Sequence, residues 1–166
     1  NYDALLRVIR SDAGILLASL KPEDVLNALD KCPAETLKAC PFAILVLMRR
    51  MFTWRKVPKM LELKALLLTA IEEHPELSEE ERGNLLGECD LILSFLCYND
   101  ISAMSRLHRS ASARMSRPAI SIQSSGGWTF GSPSVLMMFY RAPGAMESEL
   151  AEMDECMPHY YQVTNH

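Results

Sequence analysis

The sequence predicts an all-α protein built of antiparallel helical hairpins stacked side by side, and three observations carry that expectation. Apolar residues recur at helical spacing through most of the chain, as in Val25, Leu26 and Leu29, or Leu85, Leu86, Cys89, Ile92, Leu93 and Leu96. Prolines stand where helices would begin, at Pro22, Pro41 and Pro58. A proline is tolerated there because its missing N–H would have had no partner anyway. No segment alternates apolar and polar residues between turn signals, as a half-buried strand would. With 49% hydrophobic residues and only seven Gly and nine Pro in 166, the composition suits helices around a substantial core.

Taken in order, Tyr2 to Arg10 makes a short helix through Leu5, Leu6, Val8 and Ile9, broken at Gly14. A second helix spans Pro22 to Lys31, and a brief one runs from Pro33 through Leu37. Pro41 opens a helix from Phe42 to Thr53 that is apolar almost all round, the pattern of an element buried on several sides. Pro58 starts the next, which ends near Glu73 because His74 precedes Pro75 and so avoids the α region. Ser78–Glu79–Glu80–Glu81 has the form of a capping box. The serine accepts from the amide three residues on, and the glutamate reaches back. The helix it opens runs to Tyr98, and Asn99–Asp100 turns the chain and caps a partner helix from Ile101 to Met115. Ser116 to Gly131 reads as a long loop with a short extended piece at 119–123. A helix from Pro133 to Tyr140, the turn Pro143–Gly144 and a last helix from Met146 towards Tyr161, bent or restarted at Pro158, complete the chain.

Short links force antiparallel pairs: 42–53 with 58–73, 79–98 with 101–115, and 133–140 with 146–161. Such pairs cannot bury both faces alone and therefore stack on neighbours. Gly87, mid-helix, costs about 1 kcal/mol against alanine in helix propensity, so a packing reason is expected for it. That reason is a close approach of the returning helix near Ala103 or Ala111, which Gly87→Leu would overpack and Gly87→Ala would leave near neutral. The layout is that of a tetratricopeptide-like α-solenoid, although repeat starts at 42, 79 and 133 do not share one period and the initial tryptophan is absent.

Net charge is −4, which argues against phosphate binding by the chain as a whole. Residues 1–60 carry ten Lys/Arg against six Asp/Glu, and residues 61–166 seven against fifteen, a polarity expected from solvated faces of different helices. The five cysteines (Cys32, Cys40, Cys89, Cys97 and Cys156) include no CxxC pair and sit among apolar neighbours, so reduced core thiols and a cytoplasmic location are expected. No apolar run approaches the roughly 18 residues of a membrane span. The first residue is not Met, and the chain stops abruptly at Asn165–His166, so a piece of something longer is expected.

Three runs carry a family resemblance: CPAETLKACPFAILVLMRRMF, KMLELKALLLTAIEEHPELSEEERGNLLGECDLILSFLCYNDISAMSRLHRSA and GGWTFGSPSVLMMFYRAPGAMESELAEMDECMPHYYQVTN. They resemble the large LuxR-type transcription regulators related to the maltose-regulon activator, over roughly residues 25–166. The resemblance implies a larger protein with a P-loop ATPase module and a winged-helix-like region upstream and a DNA-reading helix-turn-helix downstream. It would make residues 1–40 a helical junction segment and residues 41–166 the first, partial array of tetratricopeptide-like sensor repeats. Inducers or regulatory proteins would be felt there and relayed to the neighbouring domains. No GxxxxGK[ST] run and no helix-turn-helix is present in this sequence, so neither ATP hydrolysis nor direct nucleic-acid contact is assigned to it. The alternative is a protein–protein interaction scaffold without small-molecule sensing.

No catalytic set is evident: GxSxG, HExxH and zinc-type Cys/His spacings are absent, so no catalytic residue, metal or cofactor is expected. His108 is expected at the surface or half-buried, and Glu79 to Glu81 are explained as a helix N-terminus. Two groups remain as candidates. Trp128 and Phe130 with Tyr140 and Arg141 combine aromatic faces with a guanidinium, suited to stacking on an effector and forking onto a carboxylate; alternatively Trp128 and Phe130 seal a groove between hairpins. Arg49, Arg50, Arg55, Lys56 and Lys59 form the one basic concentration and would face an acidic partner or a neighbouring domain, or else lie on a solvated helix end.

Overall fold

A computed structural model describes residues 2–97, 100–122 and 143–164. Among these residues there are eight helices, packed together, and no strand. They are α1 (Tyr2–Asp12), α2 (Pro22–Lys31), α3 (Ala34–Lys38), α4 (Pro41–Thr53), α5 (Val57–Glu73), α6 (Glu79–Ser94), α7 (Ile101–Arg114) and α8 (Met146–Thr164). Short 3₁₀ turns occupy Leu16–Ser19 and Phe95–Cys97. The expected helix over 133–140 lies outside the described residues, as does Asn99 of the expected turn.

The prolines stand at or next to the starts of α2, α4 and α5 as their sequence positions require. Ser78 caps α6, its Oγ accepting from the Glu81 amide at 3.1 Å. Asp100 caps α7 in the same way, accepting from the Ala103 amide at 2.9 Å. The reciprocal arm of the expected capping box is spent elsewhere, because the Glu81 carboxylate pairs with Arg117. At the end of α5, Arg82 donates to the carbonyls of Ile71, His74 (2.6 Å) and Leu77 (3.3 Å). A cation there satisfies carbonyls that have no partner within the helix and suits the negative end of its dipole.

α5 returns along α4 and α7 along α6, as the short links demand, while α4 abuts α6 and α8 lies along α7. α6 gives way to the 3₁₀ turn at Phe95 before the expected end at Tyr98. α8 continues to Thr164 through Pro158, where a bend or restart was expected. Pro158 and Asp154, whose carbonyl loses its donor, are both exposed, so water can satisfy what the proline removes.

Two apolar cores result. The first gathers α1 to α6 around α4, whose residues Ala43 to Met48 and Met51 are all buried. The second joins Leu91 of α6 with Ile101, Met104 and Ala111 of α7, Met115, and Met153, Tyr160 and Val163 of α8. α6 belongs to both.

Gly87 faces the end of α7, where a Cβ would run into the Met115 side chain and lie 3.1 Å from the Ala111 carbonyl oxygen. The close approach expected near Ala111 is therefore present. Gly83, one turn earlier, meets backbone instead, since its Cβ would lie 2.6 Å from the Arg114 carbonyl oxygen. Backbone cannot step aside as a methionine can, so Gly83 rather than Gly87 sets the spacing of α6 and α7.

Candidate functional site

One face of α6 carries Glu80, Glu81, Asn84 and Glu88, and the segment leaving α7, Ser116–Ile122, folds back across it. Asn84 grips the start of that segment: its Oδ1 accepts from the Ser116 amide at 2.9 Å and its Nδ2 donates to the Ser116 hydroxyl at 3.2 Å. Glu80 accepts from the same hydroxyl at 2.7 Å. Glu88 is wholly buried and accepts from three donors: Arg117 Nη1 at 2.7 Å, the Ile120 amide at 3.3 Å and the Ser121 amide at 2.9 Å. Arg117 also reaches Glu81 at 3.2 Å. Burial works against the Arg117 charge, but the Glu88 and Glu81 carboxylates outweigh it and hold the guanidinium above its ordinary pKa. From α4, Arg49 donates to the Ser121 carbonyl at 2.8 Å, and the Ala119 amide donates to Val163 of α8 at 2.7 Å. The segment is thus strapped down through its backbone by three helices.

Beside the strap lies an open cleft of about 590 Å³, lined among others by Arg10, Phe42, His74, Leu77, Glu81 and Ile120. Its wall mixes apolar and charged groups. His74 is half-buried, its Nδ1 closed off from solvent without a hydrogen-bond partner, and Ile120 is 51% exposed. Glu81 and Ile120 belong to both cleft and strap.

A second polar cluster sits inside the α6–α7–α8 core. His108 is fully buried, where a surface or half-buried position was expected. Its burial follows from α8, which is distant in sequence and closes over α7. His108 Nε2 lies 2.9 Å from Ser94 Oγ, its Nδ1 3.4 Å from Cys156 Sγ, and its ring packs 5.0 Å from that of Tyr160. The neighbourhood has the members of a Cys–His nucleophile pair but the opposite electrostatics. Burial, helped by His159, depresses the His108 pKa to about 4, and burial raises the Cys156 thiol. A reactive pair needs thiolate beside imidazolium; this pair is held neutral on both sides. Cys89, also buried, is pushed up to about 12.

Of the basic residues singled out from the sequence, Arg49, Arg50 and Lys59 have partners within the chain. Arg49 is tied to Ser121, and Arg50 donates to the Gly14 carbonyl at 3.1 Å and lies 5.8 Å from the centre of the Trp54 ring. Burial lowers the pKa of both. Lys59 pairs with Asp30 at 2.7 Å and Glu62 at 2.9 Å. Arg55 stays exposed at a positive φ of 59° in the turn between α4 and α5, with Lys56 beside it half-buried. Trp128, Phe130, Tyr140 and Arg141 lie outside the described residues.

Sequence reasoning missed the Glu88–Arg117–Ser121 clamp. The available signal was a glutamate and an asparagine four residues apart inside an apolar helix, with Glu80 and Glu81 continuing the same face. Among the described residues no three His, Cys, Asp or Glu side chains are grouped to hold a metal ion, and no helix is long and apolar enough to cross a membrane. No protein-family model, no curated protein and no solved structure matches the chain.

Proposed function

We propose that this chain is a non-catalytic sensing segment of a LuxR-type transcription regulator. It receives a small-molecule inducer or a regulatory protein in the cleft beside the strap and relays occupancy to ATPase and helix-turn-helix domains elsewhere in the full protein, in the cytoplasm. The family part of the reading rests on the sequence resemblance over residues 25–166. The sensing part rests on one observation: an open cleft of about 590 Å³ whose wall sets Arg10, His74 and Glu81 among apolar Phe42, Leu77 and Ile120. Charged and imidazole groups set among apolar ones suit a ligand with both polar and apolar parts. The paired helices α4–α5 and α6–α7 support a tetratricopeptide-like arrangement, in which such grooves commonly serve binding. The neutral state of His108 and Cys156 supports a non-catalytic role.

Two measurements test the reading. Thermal-shift titration against oligosaccharides, nucleotides and amino acids should find a class that stabilises the protein by about 2.7 kcal/mol at a hundredfold excess over its Kd. His74→Phe should remove that shift. The adjoining sequence decides the context: a P-loop upstream and a helix-turn-helix downstream are expected, and a full-length protein with neither would sink the regulator assignment.

A further inference from the structure

We propose that the groove holding Ser116–Ile122 is a peptide-binding groove, occupied here in cis, that takes in trans a similarly bent segment of a partner protein carrying an arginine and, four residues later, a small residue. The proposal goes beyond the effector reading and stands without the cleft. The mode of attachment carries it. Asn84, Glu88 and Arg49 bind three amides and a carbonyl of the strap, and Val163 accepts from a fifth backbone group, the Ala119 amide. Beyond the Ser116 hydroxyl, which Asn84 and Glu80 hold, the one strap side chain read by hydrogen bonds to α6 is that of Arg117, which enters the acidic pair Glu81 and Glu88. Capture of a chain through its main chain, with side chains selecting the register, is an established way for proteins to bind peptide ligands. A surface loop ordinarily leaves its backbone to water. Here a wholly buried carboxylate is kept in the helix to receive it.

A second observation points the same way. Ser121 is fully buried, yet its hydroxyl has no hydrogen-bond partner. The groove therefore satisfies the backbone at this position and leaves the resident side chain unsatisfied. A segment with alanine or glycine there would fit without the orphaned hydroxyl. The cis strap competes at an effective concentration on the order of millimolar, so an incoming segment gains access when the strap is weakened or the partner is itself held close by.

The test uses a fluorescent peptide of sequence MSRPAISI, residues 115–122. A released-strap variant, Arg117→Gln with Ser121→Pro, removes the cis cation and one of the two amides given to Glu88 while leaving Asn84, Glu81, Glu88 and Arg49 in place. It should bind the peptide at least tenfold more tightly than the unaltered protein does. A peptide with glutamine in place of its arginine should bind at least tenfold more weakly. A released variant with undiminished helical circular dichroism that binds no better than the parent overturns the proposal, and so does equal binding of the glutamine peptide. Should the released variant lose its helical signal, hydrogen exchange on the unaltered protein decides. Millimolar peptide should speed exchange at the Ile120 and Ser121 amides several-fold, and unchanged exchange overturns the proposal.

Discussion

The two cores of this protein are held together by different physics. Around α4, burial is almost purely aliphatic: Ile44, Leu45, Leu47, Met48, Met51, Met60 and Leu67 are all at or near zero exposure. Around α6 and α7 the interior is threaded with polar groups. Asn84, Glu88, Ser94, Ser105 and His108 are as deeply buried as their apolar neighbours. The first region is stable because apolar surface leaves water, which is non-directional and tolerant of exact geometry. The second depends on each polar group finding its partner, and an unpaired member costs more than the pair contributes. Damage should therefore be graded in the first core and steep in the second.

The steepest loss is expected at Glu88. Glu88→Ala leaves the Ile120 and Ser121 amides without their acceptor and the Arg117 guanidinium with Glu81 as its one remaining carboxylate, and should destabilise by about 3 kcal/mol in a urea melt. The double variant Glu88→Leu, Arg117→Leu should recover only part of this, because the two amides stay orphaned. Full recovery would mean that the strap's backbone contributes nothing and that the contrast between the cores is one of charge alone.

His108 should give the second core a pH dependence of its own. Its pKa in the fold, about 4, lies below the ordinary value of 6.5. Between those values the unfolded chain binds the proton and the folded chain does not, so stability is fully present above about 6.5 and falls as pH drops towards 4. The loss approaches about 3 kcal/mol. His108→Gln keeps a polar side chain but removes the titration, and should flatten the profile of melting temperature against pH over that window. An unchanged slope would place the titrating group elsewhere.

The glycines of α6 sharpen the comparison at the level of packing. Gly83→Ala must push against the Arg114 backbone carbonyl, whereas Gly87→Ala meets mainly the movable Met115 side chain. Overpacking of this kind typically costs about 1–3 kcal/mol, and alanine's better helix propensity returns at most about 1 kcal/mol of it. Gly83→Ala should therefore be the more destabilising of the two, with Gly87→Ala modest and Gly87→Leu severe. If Gly83→Ala matches the parent in chemical denaturation, α6 and α7 are not held at the spacing described.

How much of this could be read in advance divides along the same line. The first core was readable because period and punctuation suffice there: the apolar run after Pro41 announces a helix buried on several sides, and α2 spans the expected Pro22 to Lys31. Ser78 and Asp100 cap the helices they were expected to cap. The second core was not readable to the same depth. Whether Glu88 is a solvated charge or a buried one depends on Arg117 and Ser121, some thirty residues away, and sequence spacing carries no sign of that pairing. His108 looked like a surface residue for the same reason, since Ser94 and Cys156 complete its environment from other helices. Arg49 and Arg50 read as a basic patch because their acceptors are backbone carbonyls, which no sequence displays.

The smallest expected effect lies at the helix starts. Ser78 and Asp100 make the same bond, but their helices differ in what else supports the N-terminus. α6 has Glu79, Glu80 and Glu81 in its first turn, favourable to the helix dipole, whereas α7 has no acidic residue there. Arg82 further ties the beginning of α6 to the end of α5. Removing the Ser78 cap thus leaves charge and tether in place, while removing Asp100 takes away both the accepting oxygen and the only nearby negative charge on its own helix. Asp100→Ala should cost about 1 kcal/mol or somewhat more, within the usual range for a lost cap. Asp100→Asn, which keeps the bond and loses the charge, should cost a few tenths. Ser78→Ala should fall between them. Urea midpoints at constant m-value order the three, and the order should tighten in high salt, where the charge contribution is screened. Ser78→Ala costing more than Asp100→Ala would show that the acidic first turn of α6 is occupied with Arg117 and the strap rather than with its own helix.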